Sequence, residues 1–317
     1  MTYQPAATQD DPSTLPQLPG WVTSGRAETL ETVAFRSGAA LTVLDQLVSD
    51  PRHGVPVKLL SNRLALTAAT STSKLEGRLA RETDIRDAYH LTPPDEARGP
   101  DGDLLAFWRD AVGLQLREPS EIADLIGPHL LEDVADWLGV GQEHARSHGP
   151  LAGCVSVLRA VLEADDRAER VACLLSDVVL ARALKWKMVQ PVTAQRLTKG
   201  MLRDLLGDGQ GADLVVQKRI SQSIEEAIRL ARDLAQRGAA LRTVTPKLRA
   251  KGSDAAVALF LSEDAVAPST MLSPMIQGTS FPMTDRAARR FCDRLVELGV
   301  AQELTGRSTF RLYGIVR

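Results

Sequence analysis

Apolar positions recur every three to four residues along most of this chain. Leu30, Val33, Ala34, Ser37, Leu41, Leu44 and Leu47 keep one helical face from Glu28 up to Asp50-Pro51, a stop signal. A second helix is predicted from about Pro56 to Glu76, closing at Gly77, and a third from Arg81 to Tyr89. Thr92-Pro93-Pro94 and Gly99-Pro100-Asp101-Gly102 then read as a loop. The same period predicts helices over 101–114, 119–127, 130–145, 151–163, 167–184, 193–206 and 214–243. Lys185 to Pro191 reads as a connection, and Pro246 breaks or kinks the last helix. No repeat of fixed period occurs, and strand signals are almost absent until the last fifteen residues.

The last 65 residues carry the clearest pattern. Asp254 to Asp264 is predicted as a helix with Ala255, Ala258, Leu259 and Leu261 inward, and Ser269 to Gln277 as a short second one. Gly278 to Pro282 forms a turn. Thr284 is the expected N-cap of a third helix, with Asp285 at its positive end. On that helix Ala288, Phe291, Cys292, Leu295 and Leu298 share one side. Arg286, Arg289, Arg290, Asp293 and Glu297 share the other. Gly299 closes it. Two extended pieces, Ala301–Leu304 and Thr309–Tyr313, flank a Thr305-Gly306-Arg307-Ser308 tip. Three helices and a hairpin make a winged helix. The expected architecture is mainly α: a disordered tail over 1–26, a multi-helix body over 27–250, and a C-terminal winged helix-turn-helix with a short β-hairpin wing over 253–317.

Composition agrees with this pattern. Aromatics are 4% of the chain against 44% hydrophobic residues, so the core is built from Leu, Ala and Val, which favours helices over sheets. The three cysteines, Cys154, Cys173 and Cys292, are too widely spaced for a disulfide framework or a zinc site. No signal-like stretch and no run of about eighteen apolar residues occurs. A cytoplasmic protein with no membrane partner is expected.

Charge changes the functional picture. The total is −2, which at first excludes a polycation. Residues 1–195 hold 19 basic and 27 acidic residues, whereas 196–317 hold 19 basic and 13 acidic. The chain is therefore −8 followed by +6. The steepest stretch contains Arg229, Arg232, Arg237, Arg242, Lys247, Arg249 and Lys251 against Asp233 alone. It reads either as a helix lying along a phosphate backbone or as a solvated surface. A helix fits the DNA major groove with its first turns toward the bases, so Arg286, Arg289 and Arg290 are candidate groove contacts. Arg307 at the wing tip and Arg311 on a wing strand are candidate phosphate contacts, with Arg242, Lys247, Arg249 and Lys251 as further backbone contacts. Arg289 could instead pair with Asp293 on a solvated helix.

Other constellations are weak. His144 and His148 stand at i, i+4 but would need a third metal ligand such as Glu143 or Asp136, and Gly149-Pro150 ends the helix at once, so they read as a polar helix end. Asp165, Asp166 and Glu169 suit a helix start. Leu206-Gly-Asp-Gly-Gln-Gly211 reads as a loop between helices. No Gly-x-Ser-x-Gly, P-loop or dinucleotide fingerprint is present, and no metal or cofactor is expected. Trp108, Trp137 and Trp186 read as core anchors. Lys185-Trp186-Lys187 is the one exposed-looking case, a candidate partner or nucleic-acid contact.

Two blocks prompt a resemblance. Met283 to Gly299 followed by Glu303-Leu-Thr-Gly-Arg-Ser-Thr-Phe-Arg-Leu-Tyr-Gly314 resembles the end of an uncharacterised bacterial family, a domain of unknown function. Pro246 to Gly252 and the segment from Asp177 to Trp186 resemble it too. That resemblance covers most of residues 28–315. It implies a helical body and a winged-helix end, with no activity attached. The C-terminal block is also similar to the winged helix that ends many Fic-family proteins, where Leu-Gly precedes a Glu-Leu-Thr-Gly-Arg wing. Thr72-Ser-Lys-Leu-Glu76-Gly77 is similar to that family's inhibitory helix, whose Glu blocks productive placement of the ATP γ-phosphate. The Fic catalytic loop, which begins His-x-Phe and needs Gly-Asn-Gly-Arg, is missing. None of His53, His90, His129, His144 or His148 starts one. A Fic-like body would thus be a relic, with Thr72, Glu76 and Gly77 an obsolete regulator. The expectation is a non-enzymatic DNA-binding regulator of transcription or of a plasmid or mobile element, its effector unknown. Homodimerisation is an open option. The alternatives are a diverged Fic-like nucleotide-binding protein and an interaction scaffold whose winged helix docks a partner.

Overall fold

The computed structural model describes residues 15–24, 29–93, 95–114, 116, 118–207, 211–248, 251–307 and 309–316. The chain is mainly helical, with one small antiparallel hairpin near the C-terminus. The body comprises α1 (Gly20–Thr23), α2 (Leu30–Ser49), α3 (Val57–Leu75), α4 (Glu82–Leu91), α5 (Gly99–Gly113), α6 (Pro119–Ile126), α7 (Leu131–His148), α8 (Pro150–Ala164), α9 (Glu169–Ala183), α10 (Lys199–Leu206) and α11 (Ala212–Val244). The C-terminal unit comprises α12 (Ser253–Phe260), a single π-helical turn (Pro268–Leu272), α13 (Asp285–Glu297), β1 (Ala301–Glu303) and β2 (Tyr313–Ile315). Among the described residues no helix is long and apolar enough to cross a membrane.

The elements form where their ends are satisfied. Thr29 opens α2 with a capping box, its hydroxyl accepting from Thr32 N while Thr32 returns the bond to Thr29 N. Thr198 caps α10 by accepting from Met201 N. That cap is why the helix expected over 193–206 is broken: Thr193–Arg196 is a 3-10 turn, and Leu197 and Thr198 are extended. α11 has 33 residues and so runs about 50 Å, packed lengthwise against α2. Arg36 clamps the pair, with Nε 2.5 Å and Nη2 2.8 Å from the two Glu225 carboxylate oxygens. α7, α8 and α9 form a second layer, α7 and α8 meeting where Gly141 faces Gly153. Trp108, the largest fully buried side chain, donates through Nε1 to Thr72 Oγ1 at 3.1 Å.

Other expectations change as well: Gly99 to Gly102, expected as a loop, is the first turn of α5. Within the tail expected over 1–26, the described residues 15–24 pack on the body: Leu15 and Val22 are buried, and Arg232 donates to the Leu15 and Pro16 carbonyls at 2.7 and 2.9 Å. Trp21 stays exposed, tilted against Phe35. The helix expected over 269–277 is only the turn Pro268–Leu272. Pro274 forces Ser273 into an extended conformation, and Met275 bridges to Pro282. The second hairpin strand lies later than Thr309–Tyr313, with Ala301 opposite Ile315 and Glu303 opposite Tyr313.

The C-terminal unit is bolted to α3, α4 and α5. Asn62 Nδ2 donates to Ser262 O at 2.7 Å, Arg63 Nη2 to Ile315 O at 2.8 Å and Arg86 Nη2 to Leu304 O at 3.0 Å. Arg109 bridges the buried carboxylates of Glu263 and Asp264, and His90 Nε2 lies 3.2 Å from Asp264. One apolar core runs through both units.

Candidate nucleic-acid interface

α13 is fixed by its own residues. Thr284 Oγ1 accepts from Ala287 N at 3.3 Å, and Ala288, Phe291, Cys292 and Leu295 are buried as the periodicity predicts. Arg286, Arg289, Arg290, Asp293 and Glu297 are exposed.

The exposed face divides into two stripes, each with a spacing of four residues. Arg286, Arg290 and Arg294 form one. They line an open groove of about 940 Å³ whose far wall is Pro246, Lys247 and Leu248, in the turn that follows α11. No carboxylate is among the described residues lining it. Arg294 shares its charge with Glu297 at 2.9 Å, whereas Arg286, Arg290 and Lys247 make no ion pair among the described residues. The second stripe is Asp285, Arg289 and Asp293. Arg289 Nη2 pairs with Asp285 Oδ2 at 2.9 Å rather than with Asp293, which accepts from the Tyr313 hydroxyl at 3.2 Å.

Of the wing cations, Arg311 lies on this second side, lining a cavity with Arg289 and Asp293. Arg311 Nε donates to Arg307 O at 3.1 Å, and Arg307 Nη2 reaches Asp87 Oδ2 at 3.4 Å on α4. Glu303 shapes the tip by accepting from Thr305 N at 2.8 Å and Gly306 N at 2.7 Å. Burial raises the Glu303 carboxyl, but these bonds and the Arg311 charge leave it below its ordinary value.

The structure therefore brings together Arg286, Arg290 and Lys247, and adds Arg294. Arg294 was legible as the third member of an i, i+4, i+8 series, but the neighbouring acids Asp293 and Glu297 hid it. Arg289, Arg307 and Arg311 form a separate, partly neutralised group. Arg242 is exposed and donates to Gly54 O at 3.4 Å, Lys251 is exposed, and Arg249 lies outside the described residues. Upstream on α11, Arg229 pairs with Glu226, Arg232 holds the N-terminal segment and Arg237 pairs with Asp233. The basic run is thus spent largely within the molecule, apart from its last turn.

Thr72 is fully buried against Trp108, and its hydroxyl donates to Ala68 O. Glu76 ends α3 and pairs with Arg170 Nε at 2.9 Å, and Gly77 has φ +80. These contacts account for the three residues as a helix end. His144 and His148 lie with ring centroids 5.7 Å apart, and no group of three metal-ligating side chains occurs among the described residues. Of Leu206 to Gly211, residues 208–210 lie outside the described residues. Cys154 and Cys173 are buried thiols pushed above their ordinary value by burial.

The chain belongs to the family described as "Protein of unknown function (DUF1403)", which it matches over residues 6–315, body and C-terminal unit alike. No curated protein matches it.

Proposed function

We propose that the C-terminal unit acts as a winged helix and that the protein is a DNA-binding regulator without catalytic activity. The observation that carries this reading is the stripe of Arg286, Arg290 and Arg294 facing Lys247 across a groove with no described carboxylate. Three arginines one helical turn apart span about 12 Å, enough to follow successive phosphates or to set one guanidinium against a guanine edge. α12, the Pro268–Leu272 turn, α13 and the hairpin stand in the order a winged helix needs, with the turn in place of a full second helix. Val266 bridges to Tyr313 and ties the hairpin to the helices.

A gel shift with a random-sequence duplex pool at two salt concentrations tests this. Binding should weaken steeply with salt. Arg286→Ala with Arg290→Ala should reduce the slope of log K against log salt by about two, close to one per lost phosphate contact. Salt-independent binding, or an unchanged slope in the double variant, removes the assignment.

One observation favours a second reading, a partner-docking scaffold. The wing is held by Arg86 at Leu304 O and by Arg307 at Asp87, so part of it faces the body rather than free solvent. Failure to bind any duplex at low salt would select that reading.

A further inference from the structure

A second cationic groove lies on the body, and the DNA reading leaves it without a role. It opens between the C-terminal end of α9, the connection after it and the α7–α8 corner, with a volume of about 1070 Å³. Arg146, Arg182, Lys185 and Lys187 line it together with Val179 and Trp186, and no carboxylate is among the described lining residues. Three acids act on its lining residues from outside: Asp45 accepts from Trp186 Nε1 at 2.8 Å, Glu143 pairs with Arg146 at 3.5 Å, and the Glu118 charge acts on Arg182. Arg182 Nε donates to Leu116 O at 2.6 Å, and burial lowers its guanidinium in spite of the Glu118 charge.

The backbone supplies an independent observation. α9 closes with Lys185 N donating to Arg182 O at 3.2 Å and Trp186 N to Ala181 O at 2.9 Å. This is the helix ending in which the residue with positive φ is usually glycine. Here that residue is Lys185, at φ 56. A side chain there is strained, and such strain persists only where the surrounding structure over-determines it. Trp186 is buried and donates through Nε1 to Asp45 Oδ1 at 2.8 Å, which anchors the segment and leaves Lys185 and Lys187 exposed at the groove.

We propose that this groove binds a small polyanion, a molecule carrying phosphoryl or several carboxylate groups, as a ligand separate from DNA. The volume suits a small molecule. The site does not depend on the role given to α13.

Calorimetric titration of the full chain with pyrophosphate and, separately, with citrate tests the proposal. One saturable site for at least one of the two is expected, and the stronger of them tells phosphoryl from carboxylate chemistry. Lys185→Gly should raise the dissociation constant at least tenfold while the thermal midpoint does not fall, since glycine relieves the strain. Lys187→Ala should weaken binding in the same direction. Arg286→Ala with Arg290→Ala should bind the probe like the parent, which keeps the two grooves apart. No saturable site for either probe overturns the proposal, as does parent-like binding by both lysine variants. So does loss of probe binding in the α13 double variant, or loss of duplex DNA binding in Lys185→Gly.

Discussion

Asp177 sits on α9 with its carboxylate out of contact with water, and one oxygen carries all its bonds. Oδ1 accepts from Val192 N, Thr193 N and the Thr193 hydroxyl, at 3.1, 2.9 and 2.7 Å, while Oδ2 has no hydrogen-bond partner. Burial outweighs those three donors and pushes the carboxyl up to about 7. An acid whose folded value lies above its unfolded value binds more protons when folded, so stability falls as pH rises between the two. Between about pH 4 and 7 the native protein should therefore lose stability through this group, by about 1.4 kcal/mol per pH unit at most. Asp177→Asn keeps the accepting oxygen and removes the titration. Urea midpoints at pH 5 and 7 should converge in the variant and diverge in the parent, and an equal pH dependence in both would remove the assignment. The sequence placed Asp177 in a resembling segment but could not show this, because its partners lie fifteen and sixteen residues away in a turn. Lys185 was visible for its charge and its neighbour Trp186, but not for its backbone angle. Thr72 and Glu76 were visible as a motif, and Trp108 and Arg170, which hold them, are distant in sequence.

Helices were legible wherever the apolar period and its caps agreed. α13 starts after Thr284 as its N-cap and buries the expected stripe, but Arg289 pairs back to Asp285 rather than forward to Asp293, the partner its spacing first suggests. The turn Pro268–Leu272 was misread because Met271, Leu272 and Ile276 are apolar and buried, as in a helix, while Pro268 and Pro274 decide the backbone. The second hairpin strand was misplaced because Thr309 and Phe310 suit strands by type. The register is set instead by Tyr313, which pairs with Glu303 on one side and Val266 on the other. Gly314 between Tyr313 and Ile315 is no strand former, but a Cβ there would stand 3.0 Å from Asp264 O. The same argument applies to α7 against α8. A Cβ at Gly153 would lie 2.6 Å from Gly141 O and 2.7 Å from Ala145 Cβ, so the two helices must move apart to admit it. Gly153→Ala is expected to destabilise by roughly 1–3 kcal/mol, an overpacking cost. Gly139, on the same helix as Gly141, has open space around its missing Cβ. Gly139→Ala should be neutral or stabilising by up to about 1 kcal/mol through helix propensity. Denaturant unfolding of the pair checks this, and equal effects would remove the close-approach argument.

The whole molecule joins a helical body to a C-terminal unit, residues 253–317, that holds seven basic and seven acidic residues. The change from −8 to +6 at residue 196 falls inside the body, and a composition total cannot show how firmly the two are joined. That balance suits two modules on a tether as well as one welded body. The side chains between them favour the weld. Asp264 is buried between His90 and Arg109. Its burial would raise the carboxyl, yet the charges of His90 and Arg109 and the His90 hydrogen bond hold it at about 2. Glu263 shares Arg109 and lies 3.8 Å from Lys58 Nζ. Arg109→Met would keep the apolar stem and strip two buried carboxylates of their shared cation, which typically costs about 3–5 kcal/mol. Because Asp264 has a lowered folded value, its contribution is complete above the unfolded carboxylate value near 4. It disappears as pH falls toward 2. The native protein should therefore lose the weld on acidification through that window, and Arg109→Met should lose it at a higher pH. Hydrogen exchange read separately on 253–316 and on α7–α9 distinguishes a weld from global unfolding. Protection in the C-terminal unit should fall first in the variant, while α7–α9 keep theirs. Equal loss in both regions would mean that Arg109 supports the entire core. No change in either would mean that the two units are held by their shared apolar core alone.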